Sequence, residues 1–122
     1  MKRFAVTLIV LFSLSLIGAI ANKTSVEIKA PAEVKAGTEV TIVINVAHKG
    51  NSKMHYTDWV YLKINGKEVQ RWEYNKNKLP LTENFTIEYK LLVNEEINIE
   101  AEGHCNIHGS AGKQTAVIKL IQ

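Results

Sequence analysis

The residues best suited to chemistry lie in Gly103-His104-Cys105-Asn106-Ile107-His108-Gly109, where a thiol and an imidazole stand three positions apart. A Cys-x-x-His pair on a tight turn can hold one ion, and Gly103 and Gly109 bracket it as a sharp ligand-bearing turn would require. His48 and His55 flank the polar segment from Lys49 to Met54 and can add two imidazoles from a loop. One soft thiolate with several imidazoles suits iron, copper or zinc and argues against calcium or magnesium. His48, His55, Cys105 and His108 could also close a structural zinc site, so composition and spacing leave the three metals open.

Cys105 is the only cysteine. A lone thiol in an exported protein suggests an intermolecular bridge, a reactive group or a metal ligand, beside the plain reading of a small buried hydrophobe. Export is the expectation because Lys2 and Arg3 precede an apolar run from Phe4 to Ile20 that ends in Ala19-Ile20-Ala21. This reads as a signal peptide cut after Ala21, or else as an uncleaved anchor, and places the domain in the periplasm or outside the cell. No cysteine follows the run closely, which argues against a lipid-anchor signal.

Removal of residues 1–21 takes away Lys2 and Arg3 and lowers the formal net charge from +3 to +1. The basic balance is thus partly a property of the signal. No basic stripe with interleaved aromatics remains, so no nucleic-acid partner is expected. Residues 22–122 are long enough for one domain with one core and no disulfide.

The elements that must carry these ligands read as strands. Val40, Ile42, Ile44 and Val46 alternate with polar residues, as do Val60, Leu62 and Ile64, then Phe85, Ile87, Tyr89 and Leu91. Asn65-Gly66 predicts a type I′ hairpin turn into a returning strand over 69–74. Ile97, Ile99 and Ala101 lead into the cysteine motif, and a last strand covers 114–121. With short edge strands at 26–29 and 33–35, the pattern predicts an all-β, immunoglobulin-like antiparallel sandwich of about seven strands. Trp59 and Trp72 read as core or cross-strand residues rather than a ligand platform. His104 would point to the opposite face from Cys105 if its strand continues, which leaves it as a substitute ligand only.

"HYTDWVYLKINGK" at 55–67, followed by "CNIHG" at 105–109, resembles the iron-binding domain of the superoxide reductases, the neelaredoxin and desulfoferrodoxin family. The resemblance spans residues 48–109. It implies a β-sandwich holding iron between planar imidazoles and an axial cysteine sulfur, with His48, His55, His108 and Cys105 as ligands. His48 and His55 are separated by six residues, one more than the family pattern, which a loop insertion absorbs.

The resemblance further implies one-electron reduction of superoxide to hydrogen peroxide, fed by an external electron donor of rubredoxin type. The chain would then be an oxidoreductase if its iron site functions. Lys49 and Lys53 in the ligand loop are the residues expected to attract the anion. The family also has a Lys-His-x-Pro segment upstream, and "IKAP" reads as its counterpart, with Lys29 where the histidine should be and Ile28 where the lysine should be. A missing imidazole leaves a non-catalytic metal-binding role open. A copper electron carrier is a further reading, with Met54 as its only nearby methionine, and an interaction domain in which the histidines are incidental is another. A homo-oligomer is compatible with all of these.

Overall fold

The computed structural model describes residues 22–122, so the expected signal peptide lies outside the described residues. These residues form eight strands: β1 (Ser25–Lys29), β2 (Glu33–Lys35), β3 (Thr38–Ala47), β4 (Thr57–Ile64), β5 (Lys67–Glu73), β6 (Phe85–Val93), β7 (Ile97–Cys105) and β8 (Gln114–Ile121). One sheet has the order β1-β3-β6 and the other β2-β8-β7-β4-β5. The expected all-β sandwich is what forms, with each of the segments read as a strand present, eight in all, and one departure from antiparallel order. The three-residue β2 lies parallel to the edge strand β8.

Period-two alternation decides which side chains meet between the sheets. Ile42 and Ile44 from β3 face Val60 and Leu62 from β4, Ile99 from β7 and Ile118 from β8, all with essentially no exposed surface. Each such aliphatic side chain contributes about 1.5–3 kcal/mol by leaving water. Asn65 (φ 50°) and Gly66 (φ 82°) take the left-handed conformations that a type I′ turn needs, and β5 returns antiparallel to β4. Trp72 packs against the core from β5. Trp59 points the other way and stacks between its cross-strand neighbour His104 and Tyr61.

Three features bear on how the candidate metal donors come to one end of the sandwich. β3 ends at Ala47, immediately before His48, and Ser25 of β1 pairs with Ala47 at that same end. β4 begins at Thr57, two residues after His55, and pairs there with Cys105, the last residue of β7. Between Thr57 and Trp59 the register against β7 shifts, which leaves Asp58 out of the pairing next to the Thr57–Cys105 pair.

Candidate metal centre

His48 follows β3 directly, and its backbone N–H donates to the Asn84 side-chain oxygen (3.1 Å), which ties the loop before β6 to the start of the ligand loop. Between His48 and β4 the chain closes on itself through paired backbone bonds between Ser52 and His55, of 2.9 and 3.2 Å. Asn51 fastens that loop from the side by donating to the Pro80 carbonyl (2.8 Å). Gly50 lies over His55 so closely that a β-carbon there would sit 2.5 Å from His55 Nδ1.

On the facing element Cys105 and Gly109 exchange backbone hydrogen bonds (2.9 and 3.0 Å), and this closes the Cys-Asn-Ile-His turn. Gly109 has φ 79°, which a side-chain-bearing residue adopts only with strain. Gly103 has a different reason for being glycine. A β-carbon there would lie 2.7 Å from Thr24 Cγ2, so it permits close packing rather than a turn. The His108 backbone N–H donates to Cys105 Sγ at 3.4 Å, which sets the sulfur inside the turn.

These two loops bring the donors together. His48 Nε2 lies 3.2 Å from His55 Nε2, and His55 Nε2 lies 3.0 Å from His108 Nδ1. Ligand atoms of His48, His55 and Cys105 all fall within 4.8 Å of one another, and Cys105 Sγ is 3.9 Å from His108 Nδ1. Two nitrogens each about 2.0–2.1 Å from one ion at a right angle lie about 3 Å apart, so the imidazole spacings fit a shared ion. The cluster runs from closed to open: Cys105 and His48 are buried, His55 is half-buried and His108 is exposed. Burial, and next the neighbouring His55, push the His48 pKa below its ordinary 6.5. The neutral imidazole this favours is the form that binds a metal.

A desulfoferrodoxin sequence profile matches residues 19–111. The chain belongs to the desulfoferrodoxin family. Its fold is similar to that of the superoxide reductase (neelaredoxin) from Ignicoccus hospitalis, with 21% identity, coverage of 81% of this chain and 83% of that one, and a TM-score of 0.66. A candidate superoxide reductase from Thermotoga maritima is 26% identical over 80% of this chain and 86% of its own, with a TM-score of 0.63. The same sandwich occurs in the CARDB domain of a Pyrococcus furiosus protein solved with di-metal ions, with 15% identity, coverage of 82% and 94%, and a TM-score of 0.60. No curated protein matches the sequence.

Against this desulfoferrodoxin fold, the assignment of Lys29 to a missing ligand position is corrected. β1 runs antiparallel to β3, so Ser25 lies at the Ala47 end and Lys29 pairs with Val43. Four residues of extended chain put Lys29 about 13 Å along the strand from that end, at about 3.3 Å per residue. The residue that reaches the site end is Thr24, preceded by Lys23. The Thr24 and Cys105 backbone N–H groups both donate to the Gly109 carbonyl (3.3 and 2.9 Å), and the buried Thr24 hydroxyl bonds the Thr57 hydroxyl (2.9 Å). Sequence reading missed Thr24 because "KTSV" has neither the histidine nor the proline that marks the segment.

His104 does not join the cluster. It lies on the outer face, with Nδ1 2.6 Å from Asp58 Oδ1 and its ring stacked on Trp59, as strand alternation predicted. Lys49 and Lys53 are exposed in the ligand loop. Met54 is 80% exposed, so the methionine that a copper reading requires stands in solvent rather than in the cluster. Sequence reasoning also passed over Gly50 and the side-chain role of Asn106, although Asn106 lies inside the quoted motif.

Proposed function

We propose that this desulfoferrodoxin-family chain is an exported mononuclear iron protein of superoxide reductase type, which reduces superoxide to hydrogen peroxide in the periplasm or outside the cell. The observation that carries the reading is the convergence of four donors, His48 Nε2, His55 Nε2, His108 Nδ1 and Cys105 Sγ, from two loops that the fold locks together. The donor set fits iron: a buried sulfur on one side and three imidazoles graded toward solvent leave room for a small anion at the exposed end. Iron in such a site supplies one-electron chemistry. Zinc would fit the same donors but would supply no redox step.

The protein's own residues then have separate tasks. Cys105, buried at the end of β7, is the donor shielded from water. Exposed His108 forms the rim, with Lys49 and Lys53 placed to draw in an anion at low ionic strength. One electron enters per superoxide consumed, and two protons complete hydrogen peroxide, so a soluble one-electron carrier of rubredoxin type must recharge the centre.

A second reading keeps the metal and drops catalysis. It is favoured by Thr24, which lies at the site end of β1, offers no imidazole and has its hydroxyl engaged with Thr57, so that the donor set stops at three histidines and one cysteine. Metal analysis with a visible spectrum of the untagged protein, beside Cys105→Ser, tests both. Stoichiometric iron with a thiolate-to-iron band lost in the variant, and consumption of superoxide with a reduced carrier, supports the reductase. The same band without superoxide consumption supports the binding protein. Protein that takes up neither iron, copper nor zinc overturns both and leaves an interaction domain.

A further inference from the structure

His55 is the middle donor of the cluster, within hydrogen-bond distance of both His48 and His108, so its placement decides whether the two ligand loops act on one ion. On its loop side His55 is held by the two backbone bonds to Ser52. Its other flank comes from Asn106, which lies between the two turn ligands Cys105 and His108. The Asn106 backbone N–H donates to the Tyr56 carbonyl (3.1 Å). Its side-chain Oδ1 accepts from the Tyr56 backbone N–H (2.9 Å), and its Nδ2 donates to the Met54 carbonyl (3.3 Å).

One exposed residue thus satisfies three backbone polar groups on the two neighbours of His55. The β4–β7 ladder stops at the Thr57–Cys105 pair. Beyond it the Asn106 amide takes over the ladder's bonding, since a planar side-chain amide offers a donor and an acceptor as a peptide group does. No other residue type supplies both with that reach. Aspartate keeps the acceptor for Tyr56 but places a second acceptor against the Met54 carbonyl. Serine and alanine reach neither.

We propose that Asn106 is the positioning residue of the metal centre: it presets His55 against Cys105 and His108 before the ion arrives, and so sets metal affinity and ligand geometry. This rests on the metal-binding reading above and deepens it. It gives Asn106 a task other than ligation, one carried by its backbone-mimicking amide, whose Oδ1 also lies 3.9 Å from Cys105 Sγ. Loss of outer-shell partners of this kind typically weakens metal binding about 10–100-fold.

The test is titration of the metal-free full-length protein with Co²⁺, which reports affinity together with the d–d and sulfur-to-cobalt bands. Wild type, Asn106→Ala and Asn106→Asp are compared, with Asn75→Ala as a control that removes an asparagine side-chain bond from a turn in another loop. Thermal unfolding of each metal-free protein accompanies the titrations. Asn106→Ala is expected to bind Co²⁺ about 10–100-fold more weakly and with shifted bands. Asn106→Asp is expected to recover part of the affinity through the retained Tyr56 bond. Asn75→Ala is expected to change only the unfolding temperature.

Wild-type affinity and wild-type bands in Asn106→Ala would overturn the proposal while leaving the metal reading intact. So would a loss of affinity in Asn75→Ala equal to that in Asn106→Ala, because the effect would then follow stability alone. Wild-type protein that binds no Co²⁺ through its sulfur would overturn the metal reading, and the role of Asn106 with it.

Discussion

Gly50 and His55 are in contact across the ligand loop, so close that a β-carbon on Gly50 would lie 2.5 Å from Nδ1 and 2.8 Å from Cε1 of the imidazole. Gly50 also has φ 152°, where a side chain is strained. Gly50→Ala must therefore move the His55 ring out of line with His48 and His108. The expected result is about 10–100-fold weaker metal binding, with the far-ultraviolet circular dichroism of the β-sandwich unchanged, because the loop lies outside the core. Wild-type affinity in this variant would mean that the ring is free to relocate and that the contact positions nothing.

The register of β1 makes a paired prediction about ligands. Lys29→His should leave the visible spectrum of the iron form as it is, since Lys29 pairs with Val43 far from the cluster. Thr24→His should change it, because Thr24 shares the Gly109 carbonyl with Cys105. A spectral change in Lys29→His with none in Thr24→His would show that the strand assignment is wrong.

The contrast between these two residues shows what the sequence made legible. Alternation of Val, Ile and Leu identified the strands, because in a sandwich each buried face repeats every second residue. Asn65-Gly66 identified a turn, because few other pairs accept positive φ twice. Cys105, His108, His48 and His55 were legible as candidate metal donors through residue type, and the fold brings them together. The place of Thr24 was not legible, because a threonine carries no metal-binding signal, and only strand register shows which residue of this segment reaches the site end. Gly50 and Asn106 stayed hidden for a similar reason. One acts by the absence of a side chain and the other by bonds to backbone, and both depend on contacts made across the fold.

On the outer face of the five-stranded sheet, Tyr61 donates a hydrogen bond to Glu100 Oε2 (2.7 Å) and lies 3.2 Å from Glu102 Oε1. This bond, ahead of all other causes, lowers the Glu100 pKa, while burial pushes the Tyr61 phenol well up. The folded-state pKa of Glu100 is thus below its unfolded value near 4.5, so its stabilisation is present above that pH and is lost as pH falls through the folded value. Tyr61→Phe should raise the Glu100 pKa, as read by carboxyl chemical shifts, and cost about 1 kcal/mol at neutral pH. An unmoved Glu100 titration in the variant would assign the shift to the charges of Lys113 and Lys63 instead.

His48 gives the metal-free protein a pH dependence of the same sense for a different reason. It is 3% exposed, and burial followed by the His55 charge holds its pKa below 6.5. Between that lowered value and 6.5 the unfolded chain binds a proton that the folded chain does not. Stability therefore rises with pH across this window and levels off above about 6.5, and it is lost as pH falls below it. The His108 charge works in the same direction as His55, while Glu83 and the Gly50 backbone work against them. Melting temperatures of the metal-free protein from acid to neutral pH should show this slope, and His48→Gln, which cannot titrate, should flatten it. An equal slope in His48→Gln would place the acid sensitivity elsewhere in the cluster.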